Sequence, residues 1–186
     1  MNIDRLLTHR PDSATIPPVD QWHPALSGDI DIVIDADGRW RHEGEPFGRP
    51  EIPHLLASLL RRFDEGICLV TPAERWRVTV KDLPFVIVEA DFNEGAWWFT
   101  TQFDDVVRLD ETHPMTLTEA PDGELMPEIP VRFGLAARLH RNVFYRLIDE
   151  AVLEEHPGGA RLCLESAGTR YPLGELGGDD RARETP

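Results

Sequence analysis

Ile30-Asp31-Ile32-Val33-Ile34 is a run rich in β-branched residues, and Asp35-Ala36-Asp37-Gly38 leads from it into Arg39-Trp40-Arg41-His42. Residues branched at Cβ favour strands, and an Asp-Gly pair between two such runs is typical of a hairpin turn. The stretch therefore predicts two antiparallel strands. A calcium loop is excluded because Val33 and Ile34 interrupt the spacing of acids that an EF-hand needs.

Outward from this hairpin, two helices are predicted among many strands. Apolar residues recur at helical spacing after Pro50 as far as Phe63, and again from about residue 134 to 154. Apolar or alternating runs predict strands at 67–70, 74–80, 85–90, 96–101, 106–109, 160–165 and 169–173. A strand pair, a helix, several strands, a second helix and two closing strands predict an α+β fold.

The chain divides on its composition into four segments. We expect a flexible N-terminal arm at 1–16, a first α+β half at 17–83, a second at 84–174 and a flexible tail at 175–186. Residues 44–49 and 132–138 both carry a glycine-bearing turn and arginines before a predicted helix. This likeness predicts a duplication, with each half built mainly from an antiparallel sheet and one main helix.

Charge is the most unusual property of the composition. The 186 residues include 19 Lys+Arg and 34 Asp+Glu, which gives a net charge of -15. Nucleic acids and anionic membranes are therefore excluded as main partners, because both require a basic surface. A small anionic ligand held by a local group of arginines is not excluded. The N-terminus is too acidic for a signal peptide, so a cytoplasmic protein is expected.

Cysteine and histidine give no sign of a metal or cofactor site. Cys68 and Cys163 each lie in an apolar run, which predicts buried strand thiols. The seven histidines form no pair at ligand spacing, so no zinc site is predicted. We therefore expect neither a metal nor a cofactor.

Arginines gather on the second predicted helix. Arg138, Arg141 and Tyr145 fall at i, i+3 and i+7, opposite the apolar arc, and Arg132 lies just upstream. Arginines near a helix N-terminus add to its positive dipole, and an anionic ligand would offset that cost. A solvated helix face is the alternative interpretation. Arg49 takes the corresponding place before the first helix.

Short patterns recur in order between residues 17 and 174. They are Pro17-Pro18, Trp22-x-Pro24, Asp37-Gly38-x-Trp40, Gly44-x-Pro46-x-x-Arg49, Leu69-Val70-Thr71-Pro72-x-Glu74, Val80-x-Asp82-x-Pro84-Phe85, Phe99-x-Thr101, Arg132-x-Gly134-Leu135-x-Ala137-Arg138-x-x-Arg141-x-x-Phe144-Tyr145 and Ser166-x-Gly168. In this order the patterns resemble a bacterial family known as domain of unknown function 1285. One loop departs from it, because Thr101-Gln102-Phe103-Asp104-Asp105 stands where Thr-Asn-x-Gly-Asp is expected.

The resemblance implies two similar α+β halves, the second similar to a pleckstrin-homology sheet and helix. It also implies a groove between the halves for a nucleotide-like or other small anionic ligand, and a role in signal transduction. The ligand-binding candidates carried over by position are Arg49, Thr71, Glu74, Arg132, Arg138, Arg141 and Tyr145. From the residues alone, the 71–74 segment is a turn between strands that needs no ligand.

Three functions remain open on the sequence. The first is a sensor that binds a small anionic ligand, and the second is a protein-interaction module, for which a protein partner or a homo-oligomer would be the target. The third and weakest is a hydrolase-like enzyme that uses Glu74 or Asp104 as an acid or base. The sequence favours a binding protein over an enzyme and predicts no catalytic residues.

Overall fold

The computed structural model describes residues 16–157 and 159–176. Within these ranges the chain forms two compact units, one of residues 16–85 with Val131–Ala136 and the other of Val86–Pro130 with the described residues from 137 to 176. Both are rich in strands, and each contains one α-helix among its described residues. The predicted α+β class is confirmed. No helix in the described ranges is long and apolar enough to span a bilayer.

A six-stranded sheet forms most of the first unit. Its strands follow the order β3-β2-β1-β6-β5-β4, with β1 parallel to β6. A 3-10 turn at Val19–Gln21 precedes the sheet, and helix α1, Glu51–Ser58, lies between β3 and β4. The strands are β1 Leu26–Ile34, β2 Trp40–His42, β3 Glu45–Pro46, β4 Leu60–Phe63, β5 Gly66–Val70 and β6 Arg75–Val80. The predicted hairpin is confirmed, since Ile34 of β1 pairs with Trp40 of β2.

A second six-stranded sheet follows, in the order β10-β11-β12-β7-β8-β9. Its strands are β7 Phe85–Asn93, β8 Ala96–Thr101, β9 Val106–Arg108, β10 Thr116–Glu119, β11 Leu125–Arg132 and β12 Leu135–Leu139. Helix α2, Arg141–Asp149, comes next. A three-stranded antiparallel sheet of β13 Val152–His156, β14 Gly159–Ser166 and β15 Thr169–Leu176 then ends the described chain.

The two six-stranded sheets repeat one strand order. When the strands of each sheet are counted from one to six along the chain, both sheets are ordered 3-2-1-6-5-4. This supports the predicted duplication. The helices do not follow the repeat, because α1 lies between the third and fourth strands and α2 follows the sixth. The predicted equivalence of residues 44–49 and 132–138 is therefore wrong.

The second helix begins later and is shorter than the sequence predicts. Residues 135–139 form strand β12, α2 begins only at Arg141, and β13 occupies the predicted C-terminal end. The reason is the turn before β12, where Phe133 has φ +50° and Gly134 has φ +75°. Two consecutive left-handed residues make a hairpin turn. All five residues of β12 are buried, so the strand lacks the alternation that would have identified it.

The first predicted helix also ends earlier than expected. It stops at Ser58, and Leu60–Phe63 forms strand β4, which pairs with β5 in register Leu60 to Leu69. The predicted buried thiols, Cys68 and Cys163, are confirmed. Strand β15 extends to Leu176, two residues into the predicted tail. The rest of that tail, and the predicted arm except Ile16, lie outside the described residues.

Candidate functional site

The seven predicted ligand-binding residues fall into two groups. Arg49, Thr71, Glu74 and Arg132 belong to the first unit, and Arg138, Arg141 and Tyr145 belong to the second. The groove that the resemblance implies stays a prediction.

Thr71 closes the turn between β5 and β6. Its hydroxyl accepts hydrogen bonds from the backbone N–H groups of Ala73 and Glu74, at 3.3 and 3.0 Å, and donates to the Glu74 carbonyl. The Glu74 carboxylate accepts a hydrogen bond from Trp76 Nε1 at 3.0 Å. Both side chains thus have local partners, which agrees with the interpretation of this segment as a turn.

Arg132 binds the C-terminal end of helix α1. Its Nη2 donates to the carbonyl of Ala57 at 3.1 Å, and its guanidinium carbon lies 4.8 Å from the centroid of the Phe85 ring. A cation at the C-terminus of a helix complements the negative end of the dipole, and stacking on an aromatic face adds a cation–π contact. Arg132 therefore stabilises the first unit.

The turn that carries Arg132 is held by a residue that the sequence analysis missed. The backbone N–H of Arg62 donates to the Phe133 carbonyl at 3.1 Å, and Arg62 Nε donates to the Gly134 carbonyl at 2.8 Å. A Cβ on Gly134 would stand only 3.1 Å from Arg62 Cβ. We call residues 131–136 the hairpin tip. Arg62 carries no local signal of this role, because its partner lies 72 residues away in the chain.

Arg138 is a buried residue of strand β12 with 7% exposure. Its Nη1 donates to Thr118 Oγ1 at 2.8 Å and to the Met126 carbonyl at 3.0 Å. Thr118 in turn donates to Glu128 Oε2 at 2.7 Å. The prediction that Arg138 shares a helix face with Arg141 is wrong, because the chain is extended at Arg138. Arg138 on β12 thus links this strand to β10 and β11 of the same sheet.

Arg141 and Tyr145 lie one turn apart on α2 and are exposed, Tyr145 to 57%. His140 caps this helix, since its Nδ1 accepts the backbone N–H of Asn142 at 3.3 Å. The Tyr145 ring lies 5.9 Å from the ring of Phe144. Of the predicted arginine stripe, α2 thus keeps Arg141 together with the aromatic ring one turn further on.

Arg49 is exposed immediately before α1. Its carbonyl accepts the backbone N–H of Ile52 at 3.2 Å, which begins the helix. The first turn of α1 carries Glu51, whereas α2 begins with Arg141 itself. The predicted correspondence of Arg49 with Arg132 does not hold, since Arg132 lies on strand β11 and not directly before a helix.

The loop that departs from the family pattern is held by its own threonine. Thr101 Oγ1 accepts the backbone N–H groups of Phe103 and Asp105, at 3.2 and 3.1 Å. Asp104 stands exposed in this turn with φ +64°. Gln102 Oε1 accepts the backbone N–H of Val86 at 2.7 Å. These bonds give the loop a structural role.

Metal and thiol chemistry find no support in the described part of the chain. It contains no group of three or more His, Cys, Asp or Glu side chains arranged to hold a metal ion. Burial raises the pKa of Cys68 and also that of Cys163. The reactive form of cysteine is the thiolate, so both residues are poor nucleophiles at neutral pH.

Comparison with known proteins identifies the family. The family model "Domain of unknown function (DUF1285), N-terminal domain" matches residues 17–83, and "Protein of unknown function (DUF1285), C-terminal domain" matches residues 84–173. The chain belongs to the DUF1285 family. The family's second model includes the hairpin tip, which packs as part of the first compact unit. No curated protein matches the chain.

Two crystal structures of DUF1285 proteins are similar to this one. The protein from Silicibacter pomeroyi DSS-3 is 33% identical, with a TM-score of 0.83 over 94% of this chain and 96% of the other. The protein from Shewanella baltica OS155 is 26% identical, with a TM-score of 0.52 over 64% of this chain and 91% of the other. The first similarity extends over both halves of the fold.

Proposed function

We propose that this DUF1285 protein is a cytoplasmic sensor that binds a small anionic, nucleotide-like ligand and takes part in signal transduction. The observation that carries the proposal is the pair Arg141 and Tyr145, which stand exposed one helical turn apart at the start of α2. A guanidinium binds phosphate or carboxylate in a bidentate manner. A tyrosine ring at this distance can stack on a base.

The electrostatics of α2 support an anion at this place. The whole chain carries a charge of -15, yet α2 begins with an arginine where an acidic side chain would be favourable. An anionic ligand would interact favourably with the helix N-terminus and with Arg141 at once. This contrast supports the proposal of a local anion site at the start of α2.

The other predicted residues contribute differently to this proposal. Arg132 and Arg138 are engaged within the fold, so we leave them out of the ligand site. Arg49 is an exposed arginine of the first unit and keeps a proposed role in ligand binding. Thr71 and Glu74 keep at most a supporting role, since each already has a partner in its own turn.

A thermal-shift panel of phosphate, pyrophosphate, AMP and ATP tests the proposal. A ligand at about 100 times its Kd should add about 2.7 kcal/mol to the free energy of unfolding. Arg141→Ala should abolish the shift, and Tyr145→Leu should reduce it for AMP and ATP but not for pyrophosphate. Arg39→Ala is the matched control, because Arg39 is an exposed arginine beside Asp37 in the turn before β2 and is not among the predicted ligand-binding residues. A shift that survives Arg141→Ala would contradict this site.

A protein-interaction module is the second candidate function. Leu153 and Leu176 are exposed to 57% and 46%, and their pairing with β14 puts both on one face of the three-stranded sheet. Exposed apolar side chains on one face favour a protein partner. In that case no metabolite would shift the melting temperature, and Leu153→Ser would release a partner that the wild-type protein retains.

We also infer that the second unit is similar to a pleckstrin-homology domain. The support is limited to its order of elements, because α2 directly follows the last strand of a six-stranded sheet. A systematic superposition of the second unit on pleckstrin-homology structures tests this, and a match of strand order with helix position is the expected result.

A further inference from the structure

A cavity of about 310 Å³ lies in the second unit beside two hairpin turns. One turn joins β7 to β8 and the other joins β14 to β15, and the backbone N–H of Ala167 donates to the Gly95 carbonyl across them at 2.9 Å. Beneath the cavity, the buried Ser166 hydroxyl accepts the N–H of Trp97 and donates to the Leu109 carbonyl. The lining is therefore fixed by hydrogen bonds between parts that are remote in sequence.

An aromatic ring forms one wall of the cavity. Phe92 is 57% exposed although it is a large apolar residue, and its ring centroid lies 5.3 Å from that of Trp97 in an edge-on arrangement. Gly95 contributes backbone alone, and a Cβ added to it would have no atom within 4 Å. The Phe92 ring is thus held by Trp97 and remains accessible to a ligand.

The charged wall of the cavity is formed by one acid and one arginine, Glu165 and Arg170. Glu165 and Arg170 are paired across β14 and β15, and both contacts, from Arg170 Nε and Nη2 at 2.9 Å, use the same oxygen, Oε1. Arg170 Nη1 lies 3.6 Å from a second carboxylate, that of Glu154. Arg170 is therefore shared between Glu165, which lines the cavity, and Glu154, which does not, and both of its contacts with Glu165 use Oε1 rather than Oε2.

We propose that this cavity binds a small organic cation of the alkylammonium type. An aromatic face together with a carboxylate is the combination that recognises such cations, because the ring quadrupole and the carboxylate attract the same charge. The strongly acidic chain also favours a cationic ligand. This site is separate from the proposed anion site on α2, and Ser166-x-Gly168, the last of the patterns shared with the family, lies in its lining.

The test is a titration of the full chain with choline, followed through the backbone amide signals of Gly95 and Gly168 in an NMR spectrum. We expect saturable shifts at these two positions. The matched probe is 3,3-dimethylbutan-1-ol, which has the shape of choline without its charge, and it should leave the signals unmoved. Equal shifts with both compounds, or no shift with choline, would overturn the proposal.

Variants test the two walls separately. Phe92→Ala and Glu165→Gln should each raise the Kd for choline by about two- to fivefold, which is the range of an exposed cation–π contact. Glu175→Gln is the control, because Glu175 forms an ion pair with Arg161 on the same sheet and does not line the cavity. The same spectra report whether each variant is folded. An unchanged Kd in both wall variants would contradict the assignment.

Discussion

The two six-stranded sheets share a strand order but differ in what covers their edges. The fourth strand stands at the end of each sheet, as β4 in the first and β10 in the second. The edge of β4 is bound by the hairpin tip through Arg62, whereas β10 lies beside β15. An uncovered edge strand invites pairing with another chain. The two sheets thus share a strand order, while the edge formed by the fourth strand has a different neighbour in each sheet.

The same comparison separates three arginines that lie close together in the sequence. Arg132 serves the first unit at the C-terminus of α1, and Arg138 links strands of the second sheet. Arg141 comes three residues later and is exposed on α2. Three arginines within ten residues therefore have three different roles. The position of the hairpin between β11 and β12 determines which arginine has which role.

The largest expected effect comes from the hairpin tip. Gly134→Ala should cost about 2–4 kcal/mol, because a left-handed φ strains the new residue and its Cβ would press on Arg62. Gly95→Ala is the matched control, since Gly95 has nearly the same φ of +76° and open space around it. Its cost should be about 1 kcal/mol. Urea unfolding measures both, and equal losses would show that the contact with Arg62 contributes nothing.

The next largest loss of stability is expected when either of the two structural arginines, Arg132 or Arg138, is replaced. Arg138→Met and Arg132→Met should each lower the free energy of unfolding by about 1.5–3 kcal/mol, because each removes a charged donor from a part-buried carbonyl. Arg141→Met should change it by less than about 0.5 kcal/mol, as is usual for an exposed side chain. Chemical denaturation ranks the three variants. A loss at Arg141 as large as at Arg138 would contradict the assignment.

A smaller effect is expected at Arg62. Arg62→Ala keeps the backbone hydrogen bond to Phe133 but removes the side-chain bond to the Gly134 carbonyl. The cost should be about 1 kcal/mol, the usual net value of one hydrogen bond. In the double variant with Gly134→Ala the two losses should not add, because the residues are in direct contact. Strict additivity in unfolding experiments would argue against the described contact.

The smallest expected change in the free energy of unfolding comes from replacing one of two acids, Asp29 in the first unit or Asp110 in the second. The pKa of Asp29 is lowered mainly by its hydrogen bonds from Arg77, and that of Asp110 mainly by the backbone N–H of Thr112. A lowered pKa in the folded state gives stability above the unfolded pKa, and this stability is lost as the pH falls through the folded pKa. Asp29→Asn and Asp110→Asn should therefore be slightly less stable than the wild type at neutral pH, with a difference that disappears in acid.

The stability changes in the two variants, Asp29→Asn and Asp110→Asn, should depend differently on salt concentration. Added salt should reduce the effect of Asp29→Asn more than that of Asp110→Asn, because the first depends on an exposed ion pair. Unfolding measured over a pH series at low and high salt provides the comparison. A difference from the wild type that persists at acidic pH would contradict the role of the charge.

Local patterns in the sequence were sufficient for much of the fold. The hairpin at residues 30–42, the central strands and the α+β class follow from β-branched runs and turn residues, which act over a few residues. The strand β12 did not follow, because it is buried on both faces and has no alternation. Its misassignment as helix put Arg138 beside Arg141. A two-residue turn at Phe133-Gly134 was the signal that could have corrected it.

Among the residues of the candidate site, the sequence could predict only those whose role depends on exposure to solvent. Arg141 and Tyr145 remain candidates because they stand on the solvent face of a helix. The roles of Arg132 and Arg62 depend on partners 75 and 72 residues away, and no local pattern encodes such contacts. The strongly negative net charge disfavours nucleic acids and anionic membranes as partners but does not distinguish between individual arginines.

The most direct measurement compares Arg132→Met, Arg138→Met and Arg141→Ala in the thermal-shift panel of phosphate, pyrophosphate, AMP and ATP. Arg141→Ala should keep the wild-type melting temperature and lose the ligand-induced shift. Arg132→Met and Arg138→Met should melt lower and keep that shift. The reverse pattern, with ligand binding lost in the two methionine variants and retained in Arg141→Ala, would contradict the central claim that Arg141 binds the ligand and the other two arginines hold the fold.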